Sequence, residues 1–148
     1  MSVSIQEEDF DVASVLDEFK QGDGDSGAVV SFTGLVRTSG EATTIEAMTL
    51  EHYPGLTEKS LAAIEQQART RWELNEVRII HRIGRLAAGE NIVLVATASA
   101  HRQAAFEAAQ FIMDHLKTEA PFWKKEHTSR GDHWVEGRQS DHDAKSRL

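Results

Sequence analysis

The chain has 148 residues, 40% of them hydrophobic, a formal net charge of −8 at pH 7 and no cysteine. That length suits one domain with a real core, and the acidic balance excludes a general nucleic-acid or membrane-surface binder, which needs broad basic patches to attract phosphate. Without cysteine there are no disulfides, thiol nucleophiles or cysteine-ligated metals, and with no signal-like opening and no apolar run near the ~20 residues that cross a bilayer, a soluble cytoplasmic protein is expected.

Val3 and Ile5 alternate with Ser4 and Gln6 as in a short edge strand, and Val12, Val15, Leu16 and Phe19 then fall at helical spacing. The glycine- and aspartate-rich run 21–27 is turn chemistry. Residues 28–36, rich in Val and Phe, predict a buried strand in which Gly34 marks a bulge or a close backbone approach, with Arg37 at its end. After a polar loop at 38–44, residues 45–53 predict a strand of mixed pattern: Ile45, Ala47, Thr49, Glu51 and Tyr53 share one side, Glu46, Met48, Leu50 and His52 the other. Pro54-Gly55 ends it. Thr57 is the expected N-cap of an amphipathic helix carrying Leu61, Ile64, Ala68 and Trp72, with Ser60 leaving its capping box incomplete.

Residues 76–83 predict a strand, and 84–90 a hairpin-type connection around Gly89. Residues 91–98 are an apolar run of strand length, the expected central strand of a sheet covered on both faces. A long helix follows, capped by Ser99 and burying Ala104, Ala105, Ala108, Phe111, Ile112 and Leu116. Pro121 disfavours helix at Ala120 and starts an extended segment to Thr128. A turn at Ser129–Asp132 and a short strand over 133–137 close a single domain at residues 1–137, and the polar tail 138–148 is expected to be mobile. This order predicts an α+β layer fold, helices packed on a largely antiparallel sheet.

Seven histidines invite a metal reading, with His127, Asp132 and His133 as the nearest cluster, but no metal-ligand spacing such as HExxH occurs, and no metal site is expected. His101-Arg102 at a helix start has a mechanism for anion binding: free N–H groups, the positive dipole end and a bidentate guanidinium. A plain structural His-Arg pair is the alternative. Lys117 sits at a helix C-terminus, where the dipole alone favours a cation. In the extended segment, alternation puts Lys124 on the side of Phe122 and Lys125 on the side of Trp123. A lysine desolvated by aromatics or crowded by other cations serves as acid, base or nucleophile, and Lys117 and Lys124 could converge on one pocket.

Five stretches, FTGLVR (32–37), LEHYPGLTEK (50–59), HRIG (81–84), SAHR (99–102) and LKTEAPFWKKE (116–126), occur in an order and spacing that resembles the large catalytic subunit of molybdopterin synthase. The resemblance covers roughly residues 27–138. It implies an α/β hammerhead fold and a homodimer that binds a small ubiquitin-like subunit at each end, giving a heterotetramer. It also implies a sulfurtransferase: the small subunit's C-terminal Gly-Gly carries a thiocarboxylate, and its sulfur passes to cyclic pyranopterin monophosphate to make the molybdopterin dithiolene. By position, Lys117 and Lys124 match the family's active-site lysines, and Arg37, His101, Arg102 and Arg138 its anion-pocket residues. No cofactor of the chain's own is implied. The N-terminal 26 residues and the loop 38–44 carry no strong family pattern.

Two other readings stay open on the residues alone: a module that merely docks a ubiquitin-like tail, and a different lysine enzyme working through a Schiff base at Lys117. His101 and Lys117 lie sixteen residues apart, about 24 Å at a rise of ~1.5 Å per residue, too far to touch one pterin within one subunit. A symmetric dimer, in which the His101-Arg102 end of one protomer completes the Lys117 pocket of its partner, is therefore expected.

Overall fold

The computed structural model of the chain describes residues 2–22, 24–39 and 43–135. Within them follow β1 (Val3–Gln6), α1 (Val12–Lys20), β2 (Ala28–Leu35), β3 (Ile45–His52), α2 (Leu56–Arg71), β4 (Glu76–Arg82), β5 (Gly84–Ala87), β6 (Asn91–Ser99), α3 (Arg102–Glu119), β7 (Phe122–Thr128) and β8 (Gly131–Val135). The strands form two sheets, in the orders β1-β4-β6-β2 and β5-β3-β7-β8. Among the described residues only β1 and β4 run parallel; the other pairings are antiparallel. The α+β class is as expected, with the strands divided between two sheets rather than gathered in one.

The apolar run of β6 is the centre of the first sheet, and every residue from Ile92 to Ser99 is buried. Because side chains alternate along a strand, Val93 and Val95 face one way, where α2 and α3 supply Leu61, Ile64, Phe111 and Ile112. Leu94, Ala96 and Ala98 face the other way, against Val15 and Phe19 of α1. The expected coverage of both faces is what the fold provides. On β4, Val77 and Ile79 join the α3 side of the core, and His81 follows in the same alternation.

Several local expectations are corrected. β2 is an edge strand rather than a buried one, leaving Val29, Phe32 and Leu35 exposed. Its predicted irregularity is real: the register against β6 shifts between Gly34 and Leu35. A Cβ at Gly34 would stand 2.8 Å from Val93 Cγ1, so only glycine lets the two strands approach there. The mixed pattern of β3 comes from a shift between Ile45 and Ala47, which moves Met48 and Leu50 onto the core side with Ile45.

The N-cap of α2 is Gly55, not Thr57. Gly55 takes φ +86°, and its N–H donates to Glu58 Oε1 at 2.9 Å. Thr57 is instead buried, with Oγ1 accepting from the Tyr53 N–H at 2.9 Å and donating to the Pro121 carbonyl at 3.1 Å. Likewise α3 is capped by His101, not Ser99, whose hydroxyl donates to the Glu73 carbonyl at the end of β6. The connection read over 84–90 contains a strand, β5. Gly84, at φ +88°, turns the chain out of the first sheet, and the next residues pair with β3 in the second. Four residues without a β-branched side chain give little strand signal of their own. β8 starts at Gly131, inside the predicted turn; residues 136 and 137 of the predicted strand, and the tail from 138, lie outside the described residues.

Candidate active site

The last turn of α3, the start of β7, the bulged end of β2 and the ends of β4 and β6 meet around a cavity of about 110 Å³. Lys117 and Lys124 both line it, so the two lysines converge as their positions across Pro121 suggested. The corner is built locally. Ala120 leaves the helix with extended backbone, φ −75° and ψ 129°, and Thr57 holds the Pro121 carbonyl. Alternation along β7 then sends Phe122 and Lys124 into the cavity and Trp123 away from it. The rest of the wall is apolar, apart from His81.

His81 is the residue that reasoning from sequence missed. It is 3% exposed, and its ring stacks on Phe122 with centroids 3.8 Å apart and planes 14° from parallel. Its Nδ1 lies 2.8 Å from the Arg82 carbonyl oxygen. A carbonyl only accepts, so Nδ1 carries the proton and Nε2 of the neutral ring is an acceptor. Burial first of all pushes the His81 pKa down to about 3; the Arg82 carbonyl opposes this, and the positive charge of Lys124, Lys117 and His52 reinforces it. The ring is thus neutral at physiological pH. The sequence offered the His81-Arg82 pair in a strand and the HRIG stretch as signals, with nothing to tie His81 to the lysines.

Arg82, next along β4, is structural: it is buried and donates to the Glu7 carbonyl through Nε and Nη2 and to the Asn91 carbonyl through Nη1. This binds the segment after β1 to the sheet. Nearby, the Asp9 carboxyl is held below its usual range by the Asn91 amide, then by the Phe10 N–H and the Arg82 charge.

The anion-site candidates lie elsewhere. His101 and Arg102 are exposed at the far end of α3, and neither lines the lysine cavity. His101 makes no side-chain cap bond. Arg37 is exposed two residues beyond Leu35, itself a wall of the cavity. Arg138 lies outside the described residues. The histidine cluster is divided by the β7–β8 hairpin: His127 Nδ1 pairs with Asp132 Oδ1 at 3.0 Å, and His133 Nε2 with Glu126 Oε1 at 3.2 Å. These are neighbouring cross-strand pairs, whose side chains point to opposite faces. On the face of β7 away from the lysines, Tyr53, Trp123 and Trp134 line a shallow cavity of about 450 Å³.

With that geometry in place, a family model described as MoaE protein matches residues 5–119. The chain belongs to the MoaE family, that of the molybdopterin synthase catalytic subunits. It is 58% identical over 123 residues to the molybdopterin synthase catalytic subunit of Escherichia coli (strain K12), covering 83% of this chain and 82% of that protein. In structure it resembles the molybdopterin biosynthesis MoaE protein from Burkholderia ambifaria MC40-6, with a TM-score of 0.84, 44% identity, and 99% of this chain and 96% of that one covered. It also resembles molybdopterin synthase from Staphylococcus aureus, with a TM-score of 0.82, 33% identity and coverage of 89% and 95%.

The MoaE match begins at residue 5, so it takes in the end of β1 and all of α1, where the sequence alone showed no strong family pattern. It includes Arg37, His101, Arg102 and Lys117 and stops before Lys124. No helix among the described residues of this MoaE chain is long and apolar enough to cross a membrane.

Proposed function

We propose that this chain is the catalytic subunit of molybdopterin synthase, a cytoplasmic sulfurtransferase whose catalytic domain spans residues 1–137 and ends in a tail at 138–148. It takes sulfur from the C-terminal thiocarboxylate of a small ubiquitin-like carrier subunit and delivers it to cyclic pyranopterin monophosphate, forming the dithiolene. The observation that carries this reading is the meeting of Lys117 and Lys124 in one largely apolar cavity. A cavity of about 110 Å³ suits the narrow end of an extended tail better than a whole pterin, because ordinary small-molecule pockets run to ~300–1,000 Å³. The carrier's Gly-Gly end enters the cavity and the pterin lies at its mouth.

In this scheme Lys117 contacts the thiocarboxylate and stabilises charge as its carbonyl is attacked or released, while Lys124 assists proton transfer at the pterin. Arg37, His101, Arg102 and Arg138 hold the substrate's anionic groups. Since the His101-Arg102 end of α3 stands apart from the lysine cavity of its own protomer, it serves the partner's cavity in a homodimer, with two carriers completing a heterotetramer.

The test is to mix the purified chain with thiocarboxylated carrier and pterin precursor and to assay the dithiolene. Conversion is expected with the natural chain. Lys117→Ala should abolish it while circular dichroism and carrier binding stay unchanged; conversion at the normal rate by that variant would refute the assignment.

A further inference from the structure

The side chains lining the lysine cavity hold an unequal set of hydrogen-bonding groups. Each ammonium, Lys117 and Lys124, offers three donors and no acceptor. Apart from these and His81, the lining is apolar side chains and Gly34. Among the described residues, His81 therefore carries the only side-chain acceptor in the wall. Its Nδ1 is committed to the Arg82 carbonyl. Among the described residues, Asp114 Oδ2 is the only sealed side-chain polar atom without a partner, so His81 Nε2, which has no protein partner there, opens onto the cavity. The ring is held in orientation on both sides, by that carbonyl and by the parallel face of Phe122. Lys124 is the next residue on the same face of β7 as Phe122.

We infer that His81 is a positioning residue for sulfur transfer: once the carrier's tail fills the cavity, its unprotonated Nε2 accepts a hydrogen bond from the Lys124 ammonium and fixes that group's direction. This rests on the reading of Lys124 as part of the active site. The role needs a neutral ring, which burial among cations maintains. The charged and titratable groups facing His81 are Lys124 from β7, Lys117 from α3 and His52 from β3, while Arg82 turns its guanidinium to Glu7, Glu90 and Asn91. An acceptor aimed at an ammonium stabilises its charged form and so raises the lysine's pKa; removing the acceptor lowers it.

The experiment uses the full chain with thiocarboxylated carrier and pterin precursor, following single-turnover rate against pH. The natural chain must first convert precursor; if it does not, the proposed function itself fails, whatever His81 does. Given that activity, His81→Phe keeps the stack on Phe122 but removes Nε2. It is expected to slow transfer by about 10²-fold, the effect of a misdirected reacting group, and to move the basic limb of the pH profile to lower pH. His81→Gln, which returns an acceptor near the ε position, should recover most of the rate and the original limb. A folded His81→Phe variant at the natural rate overturns the inference. So do His81→Phe and His81→Gln variants that are equally slow with the basic limb unmoved, because loss of packing alone would behave that way. Should His81→Phe fail to fold, His81→Gln is set against His81→Asn, whose amide reaches only the δ position: a fast Gln variant and a slow Asn variant support the role, and equal rates refute it.

Discussion

The two ends of α3 carry the same kinds of residue, a cation and its neighbours, in opposite surroundings. At the C-terminal end, Lys117 stands at a cavity closed by β2, β4, β6 and β7, beside a second lysine and a neutral histidine. At the N-terminal end, His101 and Arg102 are exposed, and no side chain caps the helix. In the proposed scheme one end is a reaction chamber within a single protomer and the other completes the chamber of its partner. Low-dielectric walls strengthen electrostatic interactions with a bound tail, whereas an exposed arginine acts strongly only once another surface covers it. A long helix distributes its two termini between separate sites because it is rigid and cannot fold back on itself.

The sharpest way to break this contrast is to mix two inactive variants. Lys117→Ala and Arg102→Ala should each lose transfer heavily, on the order of 10²-fold or more for a catalytic cation. If the two ends serve one site across a dimer, a mixed dimer keeps one site with both natural residues. Re-equilibrated mixtures should then recover roughly a quarter of natural activity, since about half the dimers are mixed and each holds one good site. Recovery of none, with subunit exchange demonstrated, would refute a site shared across the dimer.

A smaller effect tests the cavity wall. Gly34→Val puts a side chain against Val93, so it should cost about 1–3 kcal/mol in chemical denaturation, with transfer slowed as β2 shifts. Unchanged stability would mean that β2 yields freely and is not a fixed wall.

Next comes acid sensitivity. An unfolded His81 binds its proton near pH 6.5, while the folded one does so only near 3, so between these values the unfolded state holds more protons and stability falls as pH falls. The His81 contribution is at most about 1.4 kcal/mol per pH unit. His81→Phe should flatten the stability profile between pH 6 and 4 relative to the natural chain, measured by denaturant titration. An identical slope would show that the ring is not buried neutral.

The smallest effect is a control on the other face of β7. Lys125 Nζ lies 5.5 Å from the centre of the exposed Trp134 ring, a contact worth about 0.5–1 kcal/mol at such a site. Lys125→Ala should alter stability by no more than that and leave sulfur transfer unchanged. A large loss of activity would dissolve the distinction between the two faces.

Much of this organisation was legible in the residues. The apolar run of β6 declared a strand covered on both faces, Gly34 declared an irregular close approach, and alternation across Phe122-Trp123-Lys124-Lys125 sorted the two lysines correctly. These succeed because the period of a strand, the volume of a glycine and the stop imposed by Pro121 are local properties. Where competing polar groups decided, the sequence misled: Thr57 and Ser99 looked like caps, but each hydroxyl was claimed by a carbonyl distant in sequence, Pro121 and Glu73. β5 was invisible because its four residues are held by pairing with β3 and not by their own propensity.

By itself, then, the sequence determined the family, every element type but that of β5, and the pair of lysines on either side of Pro121. Only the tertiary structure decided that β2 is an open edge, that the strands divide into two sheets, and that His81 shares a cavity with those lysines. Each of these depends on which strand lies beside which. That is settled by the global competition to bury apolar surface, not by the dihedral preferences of any single stretch.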